Sequence, residues 1–276
     1  MRIVTFDRNG TRQYGTRIGN RIKIHPSATS AVDLAVNASE HPPGEEISLS
    51  EVTLLAPVPR PGKVICIGLN YRAHAKEGGN PIPDYPAVFL RGATSLVDPG
   101  ADMIYPTCSD KLDFEAELAV VIGKSATDVG ARALEYVAGY SCFNDGSVRD
   151  YQRKSSQWTV GKNFDRTGGF GPELVTPDEL PPGASGLRII SRLNGQTMQE
   201  SKTSDMIFDV STLIATLSEA MTLEPGDVIA TGTPAGVGYA RTPPVFMRPG
   251  DRIEIEIERV GTLANTVAPR AISRPR

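Results

Sequence analysis

Glu115 and Glu117 stand two residues apart in the run LDFEAELAVVIG. The run is apolar and strand-like, and a strand repeats its side-chain direction every second residue, so both carboxylates leave one face. Asp145 follows a second apolar segment, Val137 to Phe143, where a neighbouring strand is expected to end. Three hard oxygen donors converging on a strand edge suit Mg²⁺, Mn²⁺ or Ca²⁺. The rival reading of Glu-x-Glu by itself is a polar strand face with each acid paired to Lys or Arg.

His74 and Glu77 are three apart in NYRAHAKEGG, so one helical turn puts them on one face. A carboxylate beside an imidazole orients the ring and raises its basicity, as a general base requires. The bland alternative is a solvated pair on a surface helix. Lys162, between Gly161 and Asn163, is a candidate cation for a substrate carboxylate or enolate, or else a solvated lysine. Arg149 and Gln152 follow Asp145 in SVRDYQRK, and a helix there gives them a common face near the metal end. Thr231 and Thr233 lie in VIATGTPAGVG, whose backbone N–H groups suit a carboxylate. That loop lacks GK[ST], so it is not a phosphate-binding P-loop. Arg91 in FLRGATS meets either an anionic substrate or a neighbouring acid.

The elements that must position these residues read as mainly strands. Over residues 1–57 RIVTF, RQYGTRI and RIKI alternate with the turn pairs Asn9-Gly10 and Gly19-Asn20, and EISLSEVTLL returns to strand. SAVDLAVNA is expected to be a short helix. His25 and His41, each beside a proline, read as surface turn residues. APVPRPGK, residues 56–63, marks a boundary. VICIGLNY reads as a buried strand, and GGNPIPDYP as a hinged lid or a simple loop. GARALEYV is helix-like, and Leu213, Ile214, Leu217 and Met221 predict the longest helix. Glu254, Glu256 and Glu258 alternate with isoleucine as a solvated strand face.

The chain has 276 residues, 39% hydrophobic and 22% charged, with a net charge of −3, so it is large enough for a sizeable core and lacks a nucleic-acid footprint. Cys66, Cys108 and Cys142 are odd in number and scattered, which predicts free thiols in a reducing compartment. The N-terminal apolar run is too short for a signal peptide, and no stretch approaches the ~18 apolar residues of a membrane span. A cytoplasmic protein with neither nucleic-acid nor membrane partner is expected.

GLNYRAHAKE, FEAELAVVIGK, NDGSVRDYQ, QWTVGKNFD, LNGQTMQESKTSDMIF and EPGDVIATGTPAGVG occur in that order. Together they resemble the fumarylacetoacetate hydrolase family, over roughly residues 60–268, in the manner of its bacterial acylpyruvase-like members. The resemblance implies an α+β, mainly β fold: a mixed β-sandwich roll over residues 58–276, with a small β-rich N-terminal domain over residues 1–57. It implies a divalent metal, usually Mg²⁺, on Glu115, Glu117 and Asp145, and commonly a homodimer. It also implies an active-site lysine at Lys162, substrate contacts from Arg149, Gln152 and Thr233, and water activation by His74 with Glu77. Arg91 departs from the lysine many members carry there. No equivalent is seen of the further upstream acid that larger members bring to the metal. The expected reaction is metal-dependent hydrolysis of a C–C bond in an acylpyruvate-type 2,4-dioxo acid, giving pyruvate and a carboxylic acid. Decarboxylation of an oxaloacetate-type 2-oxo diacid and isomerisation of a hydroxy-diene-dioate are the alternatives. A non-catalytic binding protein on the same scaffold is the remote one.

Overall fold

A computed structural model of the chain describes residues 1–270, so residues 271–276 of the expected catalytic part lie outside the described residues. Five short strands open the chain: β1 (Arg2–Arg8), β2 (Thr11–Ile18), β3 (Arg21–Ile24), β4 (Glu46–Ser48) and β5 (Thr53–Leu55). Helix α1 (Ala31–Val36) lies between β3 and β4. Asn9 and Gly10 both take positive φ, as the tight turn between β1 and β2 requires. The expected single strand through EISLSEVTLL is broken. Ser48 caps a 3₁₀ turn over Leu49–Glu51, so β4 pairs with β3 while β5 pairs with β1.

The remainder supplies β6 (Val64–Gly68), α2 (Arg72–Glu77), β7 (Ala87–Arg91), β8 (Leu96–Val97), β9 (Met103–Tyr105) and β10 (Leu112–Asp113). Next come β11 (Ala116–Ile122), β12 (Val137–Asp145), β13 (Ser147–Val148), α3 (Arg149–Gln152) and α4 (Thr159–Lys162). β14 (Gly168–Val175), β15 (Arg188–Leu193), β16 (Gln196–Lys202) and α5 (Val210–Ala220) follow, then β17 (Val228–Ala230), β18 (Arg252–Ile257) and β19 (Gly261–Pro269). GARALEYV is a 3₁₀ helix over Gly130–Tyr136. No helix of the described residues is long and apolar enough to cross a membrane.

The fold is α+β and mainly β. A large sheet runs β4-β3-β2-β1-β14-β12-β11-β17-β6-β7, with β5 beside β1 and β8 beside β14; a second sheet runs β16-β15-β18-β19-β9. The opening strands are continuous with the large sheet because Arg2 and Ile3 pair with Val175 and Leu174 of β14. β11 lies between β12 and β17 and is buried along its whole length. Leu118, Val120 and Ile122 pack into the core shared with α5 and the second sheet, while Ala119 and Val121 pack on the opposite face with Leu34 and Phe143. This two-sided burial explains why β11 reads as a continuous apolar run without alternation. Each such Leu, Ile or Val contributes about 1.5–3 kcal/mol relative to exposure, so the acid-bearing strand is among the best anchored in the molecule.

The longest helix is the expected one: Leu213, Ile214 and Leu217 are buried, and Asp209 accepts from the Thr212 N–H at its start. Along β18 the isoleucines are buried and the glutamates are not, and Glu256 pairs with Arg192.

Candidate active site

The acids of the β11 segment begin one step earlier than Glu-x-Glu. Asp113, Glu115 and Glu117 form a period-two set in LDFEAE, and all three are buried. Asp113 was missed from sequence, although the alternation that flags the other two includes it. Opposite, β12 delivers Asp145 in register: Ala116 faces Asn144, the Asp145 N–H donates to the Glu115 carbonyl, and the Asn144 side chain accepts from the Glu115 N–H. Ligand oxygens of Glu115, Glu117 and Asp145 all lie within 4.8 Å of one another.

Cations crowd two of these acids and not the third. Lys162 Nζ bridges Glu115 Oε2 at 2.6 Å and Asp145 Oδ2 at 2.5 Å. Arg149 takes Glu115 Oε1 at 2.6 Å and donates through Nε to Asp113 at 2.8 Å. Arg91 holds the other oxygen of Asp145, with Gly146 O, Thr167 and Ser95 as its remaining partners. Arg91 is therefore committed behind Asp145 and does not line the cavity, which decides between its two sequence readings for the neighbouring acid. Glu117 is 1% exposed and receives only the Gly232 N–H at 2.9 Å. Burial, then the charges of Asp145 and Glu115, push its pKa well above the ordinary carboxylate value. Burial also works to raise Glu115, but Arg149 and Lys162 outweigh it and hold the group well below the usual range. Burial works against the charge on Lys162, yet Asp145 and Glu115 keep its pKa above the ordinary lysine value. Lys162 thus stands between two carboxylates.

These residues fit a divalent metal. Four buried acids face three cations, and the unmatched carboxylate is Glu117, a hard oxygen donor beside two more. The three carboxylates can hold a metal ion.

The site sits on the floor of a cavity of about 230 Å³ lined by His74, Glu115, Glu117, Asp145, Arg149, Gln152, Lys162 and Thr233, among others. His74, 6% exposed, places Nδ1 3.3 Å from Glu77 Oε2 on α2. Glu77 also accepts from the Gly236 N–H, at 2.9 and 3.2 Å, so the pair is tied to the loop after β17. Arg149 donates to Gln152 Oε1 at 2.9 Å, the shared helical face the sequence suggests. Gly161 lets α4 press against α3, since a Cβ there would stand 2.3 Å from the Gln152 N.

Thr231 and Thr233 part ways. Thr231 is structural: its N–H and hydroxyl both donate to the Leu118 carbonyl. Thr233 faces the cavity and accepts from Gln199 Nε2 at 2.8 Å. Gln199, unremarked in the sequence, accepts from the Ala116 N–H at 2.9 Å through its other end, so it clamps the Thr233 loop to the acid-bearing strand. Asn70 does similar work, donating to the Thr231 and Phe208 carbonyls.

His25 and His41 are not surface residues. They are 7% and 8% exposed, and their ring nitrogens meet Thr16, the His41 carbonyl, Ser27 and Asp33. The strand meander folds them inward, and Asp33 reaches His41 from α1. Cys66 and Cys142 are buried free thiols and Cys108 an exposed one.

Residues 63–268 match the family model described as fumarylacetoacetate (FAA) hydrolase C-terminal. The chain belongs to the fumarylacetoacetate hydrolase family. Residues 1–57 match the model described as Rv2993c-like, N-terminal. A human mitochondrial oxaloacetate tautomerase is 46% identical over 221 residues, covering 79% of this chain and 70% of its own length. The Bacillus subtilis oxaloacetate tautomerase YisK is 46% identical over 226 residues, covering 80% and 74%. Among solved structures, a fumarylacetoacetate hydrolase from psychrophilic Exiguobacterium antarcticum superposes with a TM-score of 0.86 at 35% identity, covering 98% of this chain and 100% of that one.

Proposed function

We propose that this member of the family catalyses proton transfer at the carbon next to the ketone of an oxaloacetate-type 2-oxo diacid, interconverting its enol and keto forms with a bound divalent metal. The observation that carries this reading is His74: one ring nitrogen faces Glu77, and the side chain lines the same cavity as the three acids and Lys162. The likeness to two oxaloacetate tautomerases favours it over the acylpyruvate hydrolysis expected from sequence.

With Nδ1–H donated to Glu77, the Nε2 lone pair of His74 serves as the base. It takes the proton from C3 as the C3–H pair becomes the C2–C3 double bond and the carbonyl pair moves onto the C2 oxygen. The C2 oxygen then takes a proton from solvent and the imidazolium gives its own back to solvent, which completes the enol; in reverse the enol O–H proton leaves to solvent and Nε2–H⁺ delivers one to C3. Glu115, Glu117 and Asp145 would hold the metal, which when bound supplies Lewis-acid polarisation of the 2-oxo group; Mg²⁺ suits the all-carboxylate donor set, with Mn²⁺ as its nearest substitute. Lys162 and Arg149 add fixed positive charge where the oxygen becomes negative. Thr233, held by Gln199, orients the substrate carboxylate.

Hydrolysis of an acylpyruvate remains the second reading, because an imidazole backed by a carboxylate also activates water and the E. antarcticum neighbour is a hydrolase by name. One set of assays separates the two. The decay of enol absorbance in fresh oxaloacetate is compared with pyruvate release from oxaloacetate and from acetylpyruvate, each with and without chelator. Chelator-sensitive enol decay faster than pyruvate release supports the tautomerase. Stoichiometric pyruvate and acetate from acetylpyruvate, with no effect on enol decay, would replace it with the hydrolase; pyruvate from oxaloacetate alone, with a decarboxylase.

A further inference from the structure

The floor of the cavity balances one carboxylate and no more. Asp113, Glu115, Glu117 and Asp145 face Arg91, Arg149 and Lys162; a dication added to these ionised groups leaves a single net positive charge, the complement of one substrate carboxylate. A 2-oxo diacid brings two. Of the arginines and lysines that line the cavity, Arg149 and Lys162 are already engaged with acids, and Arg153 alone has no acidic partner among the described residues.

Arg153 sits on the cavity rim, exposed, just past the end of α3. It is nonetheless positioned. Its guanidinium carbon lies 4.6 Å from the centre of the Tyr239 ring, and that of Arg149 lies 4.4 Å from the same ring. Tyr239 itself is seated by its own N–H on Asp113, at 3.0 Å. One aromatic ring therefore couples a guanidinium that touches the acid cluster to one exposed at the cavity rim. A stacked, planar guanidinium keeps its in-plane donors free for a carboxylate.

We propose that Arg153, on its Tyr239 platform, binds the second carboxylate of the substrate and makes this site selective for dicarboxylic over monocarboxylic 2-oxo acids. This deepens the 2-oxo diacid reading and rests on it for the choice of substrate, but its test is made by binding and does not need turnover. Trp158, the chain's single tryptophan, also lines the cavity, so its emission reports occupancy.

The Mg²⁺-loaded protein is titrated with two diacids, oxaloacetate and 2-oxoglutarate, and with two monoacids, pyruvate and 2-oxobutyrate. The wild type is expected to prefer one of the diacids. Arg153→Met is expected to weaken that diacid roughly tenfold while monoacid affinity stays within about twofold, the scale of one rim-exposed charge-assisted pair. Arg153→Lys keeps the charge without the planar fork and recovers part of the loss. Tyr239→Leu is expected to lower the diacid-to-monoacid ratio in the same direction. A wild type without diacid preference, or an Arg153→Met protein that loses both classes equally or neither, would overturn the assignment. Because enol decay is measured separately, a protein that binds diacids through Arg153 without tautomerising them sinks the proposed reaction alone.

Discussion

Two buried histidines each meet a partly exposed carboxylate among the described residues, and the two pairs are built from the same parts. In the opening meander, His41 Nε2 lies 3.0 Å from Asp33 and its Nδ1 3.0 Å from Ser27 Oγ. On α2, His74 places Nδ1 3.3 Å from Glu77, and the rest of the ring lines a cavity shared with three acids and a lysine. The difference is the second nitrogen. Where both ring nitrogens face groups within the fold, the imidazole ties α1 to the loop after β3. Where one is left facing a cavity, it is free to move a proton. The acids differ likewise. Asp33 is spent on its own helix, taking the Thr29 N–H and hydroxyl, whereas Glu77 links its histidine to Gly236 across the cavity mouth.

Breaking the two pairs in turn should give opposite signatures, and four expectations run from large to small. Glu117→Ala removes the one acid without a cationic partner; metal binding by calorimetry and turnover should both be abolished, and retained Mg²⁺ affinity would argue against a seat at this triad. His74→Gln should cut turnover by about 10²–10⁴-fold with metal affinity unchanged, the usual worth of a general base. Unimpaired turnover would reassign the base. Glu77→Gln keeps the size and the Gly236 contact but weakens the orientation of His74, so a smaller fall, of roughly tenfold to a hundredfold, is expected in kcat with little change in KM. The matching change in the other pair, Asp33→Asn, should leave kcat untouched and lower Tm by about 2–6 °C, one to two hydrogen bonds' worth. Hydrogen bonds from Thr29 lower the Asp33 pKa, so this group stabilises the fold above the ordinary aspartate value and the contribution is lost as pH falls. The Asn variant should therefore differ least from wild type in acid.

A pH series sharpens the metal side of the comparison. In the metal-free protein burial raises the Glu117 pKa, so its stability contribution is fullest below the ordinary glutamate value and fades as pH rises through the folded one. Metal binding must displace that proton. Apparent Mg²⁺ affinity should climb with pH, and the Tm lost to chelator should grow in step; a pH-independent affinity, measured in buffers of different ionisation heat, would exclude the coupling.

The acid triad was legible because strand periodicity and an apolar setting are local properties: Glu115 and Glu117 announce themselves within three residues. Asp113 is equally local, standing two residues before Glu115. The α2 pair was legible for the same reason, at helical spacing. What was not legible was made by distant segments. Gln199 meets Thr233 and Ala116 only after three elements converge, and His41 meets Asp33 only once the chain turns back after α1. Arg91 was ambiguous because nothing in FLRGATS tells that Asp145, far along the chain, closes on it. Arg153 carries no local signal in SVRDYQRK, because its neighbour Tyr239 is far along the chain.

The contrast between a buried floor and an exposed rim also has a bearing on how such a chain changes over generations. At Gly232 a side chain would press within 2.7 Å of Asn70, and at Gly161 within 2.3 Å of Gln152, so packing excludes a larger residue at either position. Arg153 and Asn80 at the mouth are exposed and carry no such penalty. The mouth therefore has room for substitutions that the packed floor excludes.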